Sequence, residues 1–69
     1  MKKYILNLTA LSNGYFEVHE EGCTYGTRQK RERLGYHSTC ASAVRMSKVI
    51  HPFKKINGCI YCSYACHTT

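Results

Sequence analysis

The chain has 69 residues, ten Lys plus Arg against four Glu and no Asp, and a formal net charge of +6. A domain of that size buries only about 60% of the surface its unfolded chain exposes, which excludes a two-lobed enzyme, a nucleotide-binding α/β sheet and a bundle of membrane spans. Five cysteines and four histidines are then the means of stapling a thin core, by disulfides or by a metal.

The first apolar run, Tyr4-Ile5-Leu6-Asn7-Leu8-Thr9-Ala10-Leu11, is short, broken by Asn7 and Thr9, and lacks a small-x-small cleavage site. It reads as a strand and not as a secretory leader. Ser12-Asn13-Gly14 is a turn signal, because Asn and Gly tolerate positive φ. Tyr15 to His19 alternates again, with Phe16 and Val18 on one face and Glu17 and His19 on the other, so a β-hairpin is predicted over 3–19. The basic run Arg28-Gln29-Lys30-Arg31-Glu32-Arg33 reads as an exposed loop, and Leu34-Gly35-Tyr36 as a short third strand. Ser38 or Thr39 can cap a helix over about 39–50. Cys40, Ala43, Val44, Ser47 and Ile50 share its apolar face, and Arg45 and Lys48 lie opposite. His51-Pro52 ends it. Asn57-Gly58 reads as a tight turn into Cys59-Ile60-Tyr61-Cys62, and Ser63 to Thr69 as a short tail of one helical turn. The fold class expected is α+β: one domain over 1–69, with a hairpin or three-stranded sheet packed on one helix and a Cys-x₂-Cys knuckle.

Two pairs carry ligand spacing, His19-x₃-Cys23 and Cys59-x₂-Cys62. A tight turn in Cys-x₂-Cys aims both sulfurs at one point, and Zn²⁺ in structural sites takes four tetrahedral N/S ligands, of which Cys₃His is a common set. Binding energy at such a site becomes folding energy, which answers the size problem. A second arrangement stays open: Cys66 follows Cys62 by one helical turn, so Cys59, Cys62 and Cys66 could ligate with Cys23 or His67. Cys40 on the apolar helix face reads as core before ligand. Clustered cysteines of this kind mean metal more often than disulfide in a reducing cytoplasm, the location expected here.

The order of these features resembles the N-terminal metal-binding domain of the Ada DNA-repair protein and small modules sharing its zinc site. The matching stretches are His19-Glu20-Glu21-Gly22-Cys23, Cys40-Ala41-Ser42-Ala43-Val44 and Asn57-Gly58-Cys59-Ile60-Tyr61-Cys62. The pattern covers about 16–62. What the resemblance implies is the ligand set and zinc as its metal. Where that family places its methyl-accepting cysteine this chain has His19, which is no thiolate nucleophile. The chain is also similar to small bacterial proteins ending in Cys-x₂-Cys…Cys-His, which imply no activity.

With no Asp, a Ser-His-Asp arrangement is impossible, and zinc closed by four protein ligands leaves no position for water, so no enzyme activity is expected. The charge points to polyanions. A nucleic-acid module would use Arg28, Lys30, Arg31 and Arg33, helped by Lys54 and Lys55, for phosphates, and Tyr25 and Tyr36 for stacking. The competing reading is an adaptor for another protein, its zinc purely structural and its charge solvated surface. A thiol-redox or metal-handling role needs an exposed, low-pKa cysteine. No run approaches the roughly 18 apolar residues of a membrane helix, and oligomeric state is not legible.

Overall fold

The structure, a computed structural model, describes residues 1–24 and 30–68. The hairpin forms from β1 (Lys2–Asn7) and β2 (Tyr15–Glu20), paired antiparallel with Ile5 opposite His19 and Leu6 opposite Val18. Its connection closes at 11–14, where the Gly14 N–H donates to the Leu11 carbonyl at 2.8 Å and Gly14 takes φ +85°. The third strand, β3 (Arg31–His37), is longer than the sequence suggests. It absorbs Arg31, Glu32 and Arg33, which were read as loop, by pairing antiparallel with β1 along its whole length. A bulge opposite Tyr4 and Ile5 accommodates Leu34, and Gly35 takes the positive φ beside it.

Helix α1 (Cys40–Ile50) begins on Thr39, whose hydroxyl accepts from the Ser42 N–H at 3.4 Å. Its buried residues are Cys40, Ala43 and Ser47. Cys40 and Ala43 meet the sheet face carrying Tyr4, Leu6, Val18, Leu34 and Ile56. Two histidines tie α1 to β3. His37 donates from Nε2 to the Leu34 carbonyl (2.9 Å) and accepts at Nδ1 from the Ser42 hydroxyl (2.8 Å). His51 meets the Glu32 carboxylate at 2.8 Å.

The segment after the helix departs most from expectation. Asn57 and Gly58 form no turn. They end a fourth strand, β4 (Lys55–Gly58), parallel to β2, with Phe16 opposite Ile56 and Val18 opposite Gly58. The sheet is therefore four-stranded, in the order β3-β1-β2-β4. Glycine is required at 58 for close approach: a Cβ there would stand 2.7 Å from the Cys66 Cβ and 2.8 Å from the Ser63 carbonyl oxygen. Asn57 anchors the tail instead of turning the chain, its Oδ1 accepting from the Thr68 N–H at 2.9 Å. A short 3₁₀ turn, η1 (Tyr64–Cys66), follows. A disulfide joins Cys66 to Cys40 at the start of α1, 26 residues apart in sequence. No helix among the described residues is long and apolar enough to cross a membrane.

Candidate metal centre

Parallel pairing of β2 and β4 decides where the ligands meet. Strands that run the same way finish at the same end of the sheet, so the residues following β2 and those following β4 arrive together. His19 sits within β2 and is fully buried. Beyond it the chain turns through Gly22 (φ +92°), with the Cys23 N–H donating to the Glu20 carbonyl at 3.0 Å. Past β4, the Cys59 N–H donates to the Val18 carbonyl (3.0 Å) and the Ser63 N–H to the Cys59 carbonyl (2.9 Å), which folds the knuckle over the end of β2.

One donor atom from each of His19, Cys23, Cys59 and Cys62 lies within 4.8 Å of the other three. His19 and Cys59 are buried, and Cys23 and Cys62 are half-buried. The imidazole turns Nδ1 toward the sulfurs, 3.8 Å from Cys62 Sγ. Sulfurs bound to a tetrahedral ion at about 2.3 Å would stand about 3.8 Å apart, so a small contraction completes the shell. Backbone N–H groups already point at the sulfurs: Tyr61 at Cys59 Sγ (3.4 Å) and Glu20 at Cys62 Sγ (3.3 Å). Such donors stabilise thiolates. Three sulfurs and one imidazole make a group able to hold a metal ion.

Without an ion the Cys62 thiol resists ionisation. Burial pushes the Cys62 thiol up to about 12; the Glu20 N–H opposes this and the adjacent Cys23 and Cys59 sulfurs add to it. Burial also lowers the His19 pKa below the ordinary imidazole value, so the ring is neutral and its lone pair is free to ligate. Desolvation raises Glu17, whose carboxylate lies 3.3 Å from His19 Nε2.

The alternative ligands lie elsewhere. Cys40 and Cys66 are bonded to each other, so neither offers a free sulfur. His67 directs Nδ1 to the Gly58 carbonyl at 3.0 Å. The disulfide left no mark in the sequence spacing, since its halves sit on a helix face and in a tail with no shared motif. Asn7 and Glu17, which flank the His19 ring, were also missed; their only signal is strand alternation, which puts both on the His19 face.

The basic residues do not converge. Lys30, Arg31 and Arg33 are exposed at the β3 edge, with Arg33 3.9 Å from Glu21. Lys54 and Lys55 lie at the opposite edge, over the rings of Phe16 (4.3 Å) and Tyr15 (5.7 Å). Three strand spacings, about 14 Å, separate the two edges. Arg28 and Tyr25 fall outside the described residues. Tyr36 is exposed on β3, with the Lys3 ammonium 5.3 Å from its ring centre.

No family model matches the chain, and no curated protein and no solved structure matches it. The site therefore rests on its own geometry.

Proposed function

We propose that this chain is a small basic module whose fold is closed by a structural zinc ion at His19, Cys23, Cys59 and Cys62, and that it binds nucleic acid along β3. The observation that carries the metal reading is the convergence of four donors, from two distant parts of the chain, within 4.8 Å. Zinc is favoured by the donor set, three cysteine sulfurs with one imidazole. Four protein ligands leave no open position, so the ion's role is to hold the end of β2 to the end of β4. On this reading the likeness to the Ada metal-binding domain lies in the ligand set alone.

The nucleic-acid reading is supported by Lys30, Arg31 and Arg33 on one exposed edge, next to Lys3 and the open ring of Tyr36. Cations there can neutralise phosphates while the ring stacks on a base. A salt titration of binding to random-sequence DNA and RNA tests it. The expected result is an affinity that falls steadily with salt and is weakened by Arg33→Glu and Tyr36→Ala. Absence of binding at low salt removes the reading. The adaptor reading draws on β3 as the outer strand, whose edge could pair with a strand of another protein, and it predicts a partner that survives nuclease. The Cys40–Cys66 bridge forms readily in an oxidising compartment, and in the reducing cytoplasm expected from the cysteine pattern the pair would stand mostly as thiols beside an unchanged metal site.

A further inference from the structure

The geometry points to Asn7 and Glu17 as the residues that set the tautomer of His19 and so aim its Nδ1 at the metal, an inference that rests on the metal reading above. His19 stands opposite Ile5 in the β1–β2 ladder. Asn7 and Glu17, each two residues further along its own strand, therefore share the face of the ring. Both reach Nε2: Asn7 Nδ2 at 3.1 Å and Glu17 Oε1 at 3.3 Å. The opposite ring nitrogen, Nδ1, faces Cys62 Sγ.

As placed, the two contacts at Nε2 ask for opposite tautomers, a lone pair for Asn7 Nδ2 and a proton for Glu17 Oε1, and a half-turn of the Asn7 amide reconciles them. A carboxylate oxygen beside Nε2 requires a proton on that nitrogen, since two lone pairs would otherwise meet. A neutral ring with its proton on Nε2 has its lone pair on Nδ1, directed at the sulfurs. The Asn7 amide then needs its oxygen, not its nitrogen, toward the ring, because N–H against N–H is repulsive. Amide oxygen and nitrogen exchange places by a half-turn of the group, and the hydrogen-bond network decides between them. The half-turn gives Asn7 Oδ1, otherwise buried with no hydrogen-bond partner among the described residues, the Nε2 proton, and carries Nδ2 to the place that Oδ1 held. Asn7 then accepts the Nε2 proton, and the Glu17 carboxylate beside that nitrogen, on the adjacent strand, favours the same tautomer by its charge. A metal-ligating histidine whose far N–H is fixed in this way is oriented before the ion arrives, and losing such a partner weakens metal affinity roughly tenfold to a hundredfold. Asn7 and Glu17 are positioning residues; neither reaches the metal.

The test is zinc affinity by chelator competition, on the disulfide-bonded full chain, for the unaltered protein, Asn7→Leu and Glu17→Gln. Asn7→Leu removes an acceptor and is expected to weaken zinc binding tenfold or more. Glu17→Gln keeps a carbonyl oxygen and is expected to stay closer to the parent. Long-range ¹H–¹⁵N spectra of the zinc-loaded parent supply a second readout that no folding defect can imitate: Nδ1 ligated and the proton on Nε2. Zinc affinity of Asn7→Leu within twofold of the parent, or ligation through Nε2, overturns the inference while leaving the metal site standing. A parent chain that binds no zinc overturns both.

Discussion

The Cβ of Cys66 occupies the space that any side chain at Gly58 would need, with 2.7 Å between it and a Cβ built on the glycine. The chain passes this point twice, once at the end of β4 and once in η1, and a disulfide fixes the second pass to the helix. Backbone atoms of Ser63 and Cys66 line the same space, so the neighbour cannot move as a lone side chain. Gly58→Ala is expected to cost about 1–3 kcal/mol by overpacking. Urea unfolding of the metal-loaded protein measures it, and an unchanged midpoint contradicts this account of Gly58.

The disulfide and the His/Cys cluster divide five cysteines cleanly, two in the bridge and three free beside His19. The odd count, awkward for disulfides alone, follows from that division. Opening the Cys40–Cys66 bridge frees a long loop in the unfolded chain, and its loss is expected to cost about 2–4 kcal/mol. Cys40→Ala with Cys66→Ala should lower the thermal midpoint yet keep one zinc per chain by elemental analysis. Loss of zinc in the double variant would show that the two staples are not separate.

Thiol counting examines the same division chemically. Zinc-loaded, oxidised protein should show its three remaining thiols protected from alkylation, and a chelator should expose all three together. Cys59→Ser should abolish tight binding, because Cys59 is 1% exposed and the Tyr61 N–H is already directed at its sulfur. Circular dichroism before and after chelation should show a partial loss of structure, since a bound ion would hold the ends of β2 and β4 together while the Cys40–Cys66 disulfide keeps the rest of the chain folded. Three thiols equally reactive with and without chelator would count against coordination.

Local chemistry made much of the fold legible. Alternation at Phe16 and Val18, the Thr39 cap and the His51-Pro52 stop all act within a few residues, and the hairpin and helix stand where they predict. The strand that unites the site, β4, was hidden because Asn57-Gly58 has the composition of a turn. Its role is set by distant groups: Gly58 by the return of Cys66, Asn57 by the Thr68 N–H. The four side chains that converge could be named from spacing. What spacing could not supply was the parallel β2–β4 pairing that makes His19-x₃-Cys23 and Cys59-x₂-Cys62 neighbours, nor the bond that takes Cys40 and Cys66 out of competition. Both are long-range facts with no periodic trace.

The acid sensitivity of the metal-free, disulfide-bonded chain should be dominated at its onset by His19. Burial holds its folded pKa below the value of about 6.5 that an unfolded chain would show. Above that value the ring is neutral in both states and its contribution to stability is fully present. As pH falls through and below about 6.5, the unfolded chain takes up a proton that the folded chain refuses, so stability declines until the folded pKa is passed. Glu17 acts in the opposite sense nearer the carboxylate range, where desolvation raises its pKa and protonation favours the fold. The two are separated by comparing the parent with His19→Leu between about pH 7.5 and 5.5, the window around the ordinary imidazole value. Urea midpoints over this window should fall with pH in the parent and fall less in His19→Leu. Zinc, which needs the same lone pair, should be released in the same direction and should show a proton-coupled loss of affinity. Equal slopes in the parent and His19→Leu would place the titrating group elsewhere.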